Sequence, residues 1–291
     1  MRNKSIFYIS YGVASALVIW SLQELFLYLL NAISFIPKEL TIALFGALTG
    51  GLFGALMAIM EGFFTGSKYL VNRGVRVGAL IGLLAGSIGF LLTSHTAFLE
   101  NVGISNNVIQ ILLNSIRWIV IALCVGIALG IRDKNSLSTT RGIIAGLLTG
   151  VIGGTAISTI AFYIQSPMIS RGLGLLVLTV LFSFSIYRLS HFGRKIWLKT
   201  LNGNLEGMDI ELSKEIHIFG TQDNDDINLQ DYQEVQQSHA KLIRYFDNYS
   251  LVDNDPFCQT FVNFRVVKEQ FLKNGDVIKI GTALFQYCTV N

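Results

Sequence analysis

Few residues in this chain of 291 combine the types and spacings that chemistry requires. Ser238 and His239 set a hydroxyl beside an imidazole, the components of a nucleophile and its base. They are adjacent, however, and neighbours on a strand point to opposite faces, so they form no working pair. The run Asp223-Asn224-Asp225-Asp226 offers oxygens of the kind calcium takes. It lacks the later Gly and Glu of a calcium-binding loop and reads as an ordinary polar turn. Cysteines stand far apart at 124, 258 and 288, without the spacing of a metal site. Cys124 reads as packing, and Cys258 and Cys288 as free thiols in a reducing cytosol. With no nucleophile, metal or cofactor constellation in view, the chain is expected to be non-catalytic, with no metal and no cofactor. Two charges remain, Glu24 (beside Gln23) and Arg117, each inside an apolar run. Charge at membrane depth is costly, so these are either a functional site or structural. Structurally, Arg117 snorkels, or the two meet if the first and fourth helices touch.

The elements that must position these residues follow from composition. The chain is 52% hydrophobic and 14% charged, against about 25% charged in soluble domains, with a mean hydropathy of +0.53. Apolar runs at about 5–30, 40–60, 77–94, 108–131, 142–164 and 169–189 each approach the ~20 residues a helix needs to cross a bilayer. The first is too long for a signal-peptide core and is expected to be retained. These define a six-helix transmembrane domain over 1–190. Residues 1–200 hold 15 Lys and Arg against 5 Asp and Glu; residues 201–291 hold 7 against 14. An acidic soluble part argues against nucleic acid as a partner. Counting basic residues by loop gives twelve on one side of the membrane and two, Lys38 and Arg171, on the other. Both termini are therefore expected in the cytoplasm of a bacterial cell, with the bundle in its inner membrane. His191, Arg194, Lys195, Trp197 and Lys199 mark a basic-aromatic linker over 191–202. Glu61 and His95 fall at predicted helix ends and read as interfacial.

Glycines recur every fourth residue at Gly74, Gly78, Gly82 and Gly86, and again at Gly142, Gly146, Gly150 and Gly154. Each set follows the same Arg-Gly start, so hairpins 40–94 and 111–164 read as a parallel repeat. A smooth glycine face lets another backbone come close. Tight packing within the bundle, the lining of a transport path and a homo-oligomer contact are all compatible with it.

Beyond 203 the pattern changes to short alternating runs separated by turn residues, as in an all-β sandwich. Met208–Leu212, Ala240–Arg244, Thr260–Asn263, Val277–Ile280 and Leu284–Val290 read as strands. Four blocks stand in order: Gly220-Thr221 before Asp226-Ile227-Asn228-Leu229; Gln236-Gln237-Ser238-His239; Leu251-Val252-Asp253 running to Thr260-Phe261-Val262-Asn263; and Lys273-Asn274-Gly275-Asp276. Together they resemble a forkhead-associated (FHA) domain over 203–291, the β-sandwich that usually binds phosphothreonine peptides. The resemblance implies framework roles for Gly220, His239, Thr260, Asn263, Gly275 and Asp276.

The resemblance also shows which contacts are missing. Where the family places its phosphate-contacting Arg this chain has Thr221, where it places Ser it has Gln236, and where it places Asn-Gly it has Cys258-Gln259. Phosphate recognition of this kind relies on Arg. The loops holding Thr221, Gln236, Gln237, Cys258 and Gln259 are thus expected to bind a cytoplasmic protein without strict need of phosphate. Retained phosphothreonine binding and a purely structural cap are the alternatives. For the whole chain the expectation is a membrane-anchored scaffold or adaptor; the competing reading is a transport or channel bundle regulated by the FHA-like domain.

Overall fold

The computed structural model describes residues 4–32, 36–94, 106–133, 136–190, 196–222, 224–254 and 259–289. The chain divides into two compact units, one of Met1–Phe64 and Leu70–Phe192, the other of Thr65–Tyr69 and Gly193–Asn291.

The first unit is helical: α1 Lys4–Asn31, α2 Lys38–Thr65, α3 Lys68–Leu92, α4 Asn106–Asp133, α5 Ser136–Tyr163 and α6 Pro167–Leu189. All six are long and apolar enough to cross a membrane. They outrun the apolar segments that mark them. Helix α3, for instance, starts at Lys68 rather than near 77, because Lys and Arg are good helix formers and a helix need not stop where lipid does. His95 lies outside the described residues.

Helices in lipid gain little from burying apolar surface against one another, so close backbone contact must hold them. The α3 ladder meets α2 residue for residue. Gly86 faces Gly46, Gly82 faces Gly50, Gly78 faces Gly54, and Gly74 faces the carbonyl of Ala58. A methyl group added at Gly50 or Gly82 would fall inside the contact limit of the other's carbonyl oxygen. On α5 the ladder meets a less uniform face. Gly142 faces Gly126, Gly146 the Ala122 carbonyl, Gly150 the backbone of Ile119, and Gly154 that of Ser115. Opposite the α3 glycines, Leu80, Leu84, Ile88 and Leu92 are exposed, as suits a lipid-facing stripe. Between the helices sit Ile19, Phe53, Met57, Trp118, Leu178 and Phe182, all buried.

Charge inside this unit pairs differently from expectation. Glu24 accepts two hydrogen bonds from Arg171, at 2.8 Å from Nε and 2.9 Å from Nη2, so its partner is on α6 and not Arg117. Arg117 instead donates to Thr93 Oγ1 at 2.8 Å and lies 4.3 Å from the centre of the Phe90 ring. Helix α4 approaches α3 there; an aromatic face and a hydroxyl receive its cation. Arg132, counted from sequence as a loop cation, is 2% exposed and joins Glu61 at 2.8 Å, Asp133 at 2.6 Å and the Ala58 carbonyl at 2.5 Å. A buried charge this well surrounded ties α4 to α2.

The second unit is a two-sheet sandwich. Its strands are β1 Ile196–Thr200, β2 Asp209–Glu211, β3 Ile216–Gly220, β4 Ile227–Asn228, β5 Ala240–Tyr245, β6 Asn248–Asp253, β7 Thr260–Val262, β8 Arg265–Val266, β9 Glu269–Phe271, β10 Val277–Ile280 and β11 Ala283–Thr289. One sheet runs β2-β1-β11-β10-β7-β8, the other β4-β3-β5-β6-β9. Strand β1 lies inside the segment 191–202 read from sequence as linker. Its residues alternate, with Ile196, Leu198 and Thr200 buried, and Trp197 and Lys199 turned the other way. Leu198, Phe219, Leu242, Ile278 and Phe285 fill the space between the sheets.

The β2–β3 turn is fastened by His217, whose Nε2 accepts from the Ser213 and Lys214 backbone N–H groups at 3.2 and 3.1 Å. Burial lowers the His217 pKa below its usual 6.5; Asp226 opposes this and Lys214 adds to it.

Gly82→Leu should force α2 and α3 apart and cost about 1–3 kcal/mol, measured as thermal stability of the full chain in detergent. Gly51→Ala should be close to neutral, since its nearest neighbour would stand 3.6 Å away. For His217, the unfolded chain takes up a proton first as pH falls. Its contribution is therefore complete above pH 6.5 and declines as pH drops from there through the lower folded value. An NMR titration of the ring resonances checks this: a midpoint at or above 6.5 refutes it.

Candidate partner-binding loops

Three connections meet at the end of the sandwich where β3 and β6 finish and β5 and β7 begin. They are the β3–β4 loop (221–226), the β4–β5 loop (229–239) and the β6–β7 loop (254–259). Register requires this: Phe219 pairs with Ala240, and Ala240 with Asp253.

Their floor is a set of hydrogen bonds around Asp225. One carboxylate oxygen accepts from the Gln222 backbone N–H at 2.8 Å and the other from the Ser238 hydroxyl at 3.2 Å. Ser238 holds a positive φ of 47° and its carbonyl accepts from the Asn254 amide at 2.9 Å. His239, fully buried, accepts the Gln236 backbone N–H on Nδ1 at 3.2 Å, and its carbonyl accepts the Asn254 N–H at 3.0 Å. Accepting at Nδ1 leaves Nε2 to carry the proton of the neutral ring. Gly220 sits against the Asp225 carboxylate and the Ser238 nitrogen with no room for a methyl group. Thr260, also fully buried, donates to Asp253 at 3.0 Å and ties β7 to β6.

Gly220, His239 and Thr260 thus lie under these loops. Asn263, Gly275 and Asp276 lie at the other end of the sandwich. There the Asn263 amide donates to Asp276 at 2.9 Å, while Asn263 Oδ1 accepts from the Val277 N–H at 2.9 Å. Gly275 takes the positive φ of 93° that the intervening turn needs. The six framework positions therefore brace two separate sets of turns.

Of the residues expected to meet a partner, Gln236, Gln237 and Gln259 are exposed and Thr221 is half-buried. Gln237 also accepts the Gln222 side-chain amide at 2.9 Å, linking the first loop to the second. Cys258 lies outside the described residues. Cys288, on β11, is half-buried, and its thiol lies 3.7 Å from the Gln286 carbonyl oxygen. Sequence reasoning passed over Asp225, Ser238 and Asn254 as binding-loop supports. Asp225 stood in a run already understood as a polar turn, and its partner is thirteen residues away.

Electrostatically the loops are one-signed. They contain Asp223, Asp225, Asp226, Asp231, Glu234 and Asp255, and no Lys or Arg. A phosphate group, with about two negative charges at neutral pH, would meet repulsion here and no guanidinium. Asp226 remains ionised to lower pH than usual. Burial opposes this, but the bond from Lys214 and that from the Ile218 N–H outweigh it.

Residues 199–291 match the family model described as the inner membrane component of T3SS, cytoplasmic domain. No curated protein matches the chain. Among solved structures, the FHA domain of CT664 from Chlamydia trachomatis is 26% identical, covering 33% of this chain and 99% of that one, with a TM-score of 0.31. The FhaA FHA domain, solved with the intracellular domain of Rv3910, is 24% identical over 32% of this chain and 98% of that one, TM-score 0.29. The N-terminal FHA domain of S. cerevisiae Rad53p, solved with a phosphothreonine peptide, is 17% identical over 33% and 94%, TM-score 0.30. The C-terminal part of the chain is thus FHA-like both in its sequence match and in its two-sheet architecture.

Gly220→Ala should disturb the loop floor and cost about 1–3 kcal/mol by overpacking. Gln237→Ala, at an exposed position, should stay within about 0.5 kcal/mol of the parent. Denaturant melts followed by near-UV circular dichroism distinguish the two; equal midpoints would dismiss the floor.

Proposed function

We propose that the chain is a membrane-anchored adaptor. The six helices hold it in the inner membrane with both termini in the cytoplasm, and the three loops recruit a cytoplasmic protein without needing phosphate. The observation that carries this reading is the loop surface itself. Its scaffold is braced as a recognition surface would be, yet it presents Thr221, Gln236, Gln237 and Gln259 over a buried carboxylate, where phosphate chemistry needs a cation. Placement inside the cell is supported by the distribution of basic residues between the loops and by the family model, which describes a cytoplasmic domain. An adaptor role, rather than transport, is supported by the large apolar side chains that fill the space between the helices.

An acidic loop surface favours a partner with a basic contact, and such recognition weakens as salt rises. The full chain, tagged and cross-linked in its native membrane, should retain its partner after phosphatase treatment and lose it in Gln236→Lys/Gln237→Lys. Release by phosphatase would overturn the reading, and capture of no partner would return weight to a regulated transport bundle.

A further inference from the structure

At the end of the sandwich away from those loops, two hairpin tips carry phenylalanine. Phe246 joins β5 to β6 and is 96% exposed; Phe264 joins β7 to β8 and is 74% exposed. Both adopt positive φ, 53° and 64°. Turn stereochemistry asks for Gly or Asn at such positions, and a bulky side chain there is uncommon and strained. Strain of this kind persists where a function holds it in place. Beside the first tip, Tyr245 and Phe271 are also exposed, with ring centres 5.4 Å apart.

Strand polarity puts both tips at the end where β1 begins. Ile196 pairs with Thr289, Ile278 with Phe285 and Ile278 with Val262, so β7 runs toward that end and turns at Asn263-Phe264. In the second sheet, the Tyr249 N–H donates to the Tyr287 hydroxyl at 3.2 Å, which places the β5–β6 tip at the same end. The cations there are Arg244, whose Nε donates to the Phe246 carbonyl at 3.0 Å, with Arg265 and Lys273, both exposed. The carboxylates are Glu211, Glu215, Asp247 and Asp276, the last bonded to Asn263 and to the Lys273 N–H, while a further cation, Lys214, is paired with Asp226. At the other end the described loop residues include Asp225, Asp226, Asp231 and Glu234, with one cation, Lys268, in the β8–β9 turn beside Asp253. Facing a negative surface, the domain would be turned by its own charge with the phenylalanines forward.

On the reading that the helices lie in the inner membrane, the chain itself limits how far the sandwich can stand from such a surface. Residues 190–195 alone separate α6 from β1, and they include Arg194 and Lys195. Fully extended, they reach roughly 25 Å. Exposed aromatic rings flanked by Arg and Lys match the boundary of an anionic bilayer, rings among the upper acyl chains and cations at the phosphates. We propose that Phe246 and Phe264 are the points by which the sandwich docks on anionic lipid, with Arg244, Arg265 and Lys273 as their phosphate contacts. This inference rests on the membrane placement proposed above; the surface is separate from the partner-binding loops, and its failure would leave the recruitment reading untouched.

The test uses the full chain in vesicles of phosphatidylcholine with or without phosphatidylglycerol. A polarity-sensitive dye is attached at Phe246→Cys, or at Gln237→Cys as the control, with Cys124, Cys258 and Cys288 replaced by serine. With phosphatidylglycerol present, the dye at 246 should shift to the blue and be quenched by acyl-chain-quencher lipids, while the dye at 237 stays aqueous. Arg265→Gln should reduce the docked-to-free ratio about fivefold, the effect of one cation at such a surface. An aqueous signal at 246 in both lipid mixtures overturns the proposal, as does equal quenching in both. A blue shift that escapes lipid quenching and grows with protein density overturns it too, because protein and not lipid would then cover the tip.

Discussion

The bundle rests on backbone touching backbone. An apolar side chain facing a neighbouring helix gains little over one facing lipid, so association must come from contacts that lipid cannot make as well. Glycines on α2 and α3 supply them by bringing each helix against the other's carbonyl oxygens along four successive turns. Everything else in that unit follows from this approach. The bulky residues fall to the outer stripe or to the core between helices, and the few charges are carried where a partner can reach them. Arg132 is the clearest case, a buried guanidinium shared between two carboxylates and a helix carbonyl.

The sandwich obeys a different rule, since water supplies the drive that lipid withholds. Its core is ordinary, and what distinguishes it is the loop end. There Asp225, Ser238, His239 and Asn254 shape three loops through hydrogen bonds with one another and with backbone groups. These bonds need no ligand. The loops therefore hold their form by internal contacts alone.

How far the sequence could be read depended on how local the signal was. The change from apolar runs to short alternating strands is written into neighbouring residues, and both architectures followed from it. Gly220, His239 and Thr260 stand out in the sequence because their offsets match the pattern of the FHA resemblance. Strand β1 could not, although Ile196, Leu198 and Thr200 alternate correctly, since Trp197 and Lys199 stand in a basic-aromatic stretch that reads equally well as a stalk. Pairings were the least legible. Nothing near Glu24 announces Arg171, 147 positions later, and nothing near Asp225 announces Ser238. On α4, Gly126 and Gly130 alone hint at the face that meets α5; Ala122, Ile119 and Ser115 complete it without any glycine signature.

The position of β11 has a consequence for how the protein is made. It lies between β1 and β10, so the first strand of the sandwich is held by the last. While the chain is being synthesised, β1 has no neighbour in its sheet beyond the short β2 until β11 has left the ribosome. Contacts this distant in sequence form slowly. The helices, each with its own internal hydrogen bonds, have no such wait. The helices can therefore form before the sandwich is complete, and its loop end takes shape only once the last strand is in place.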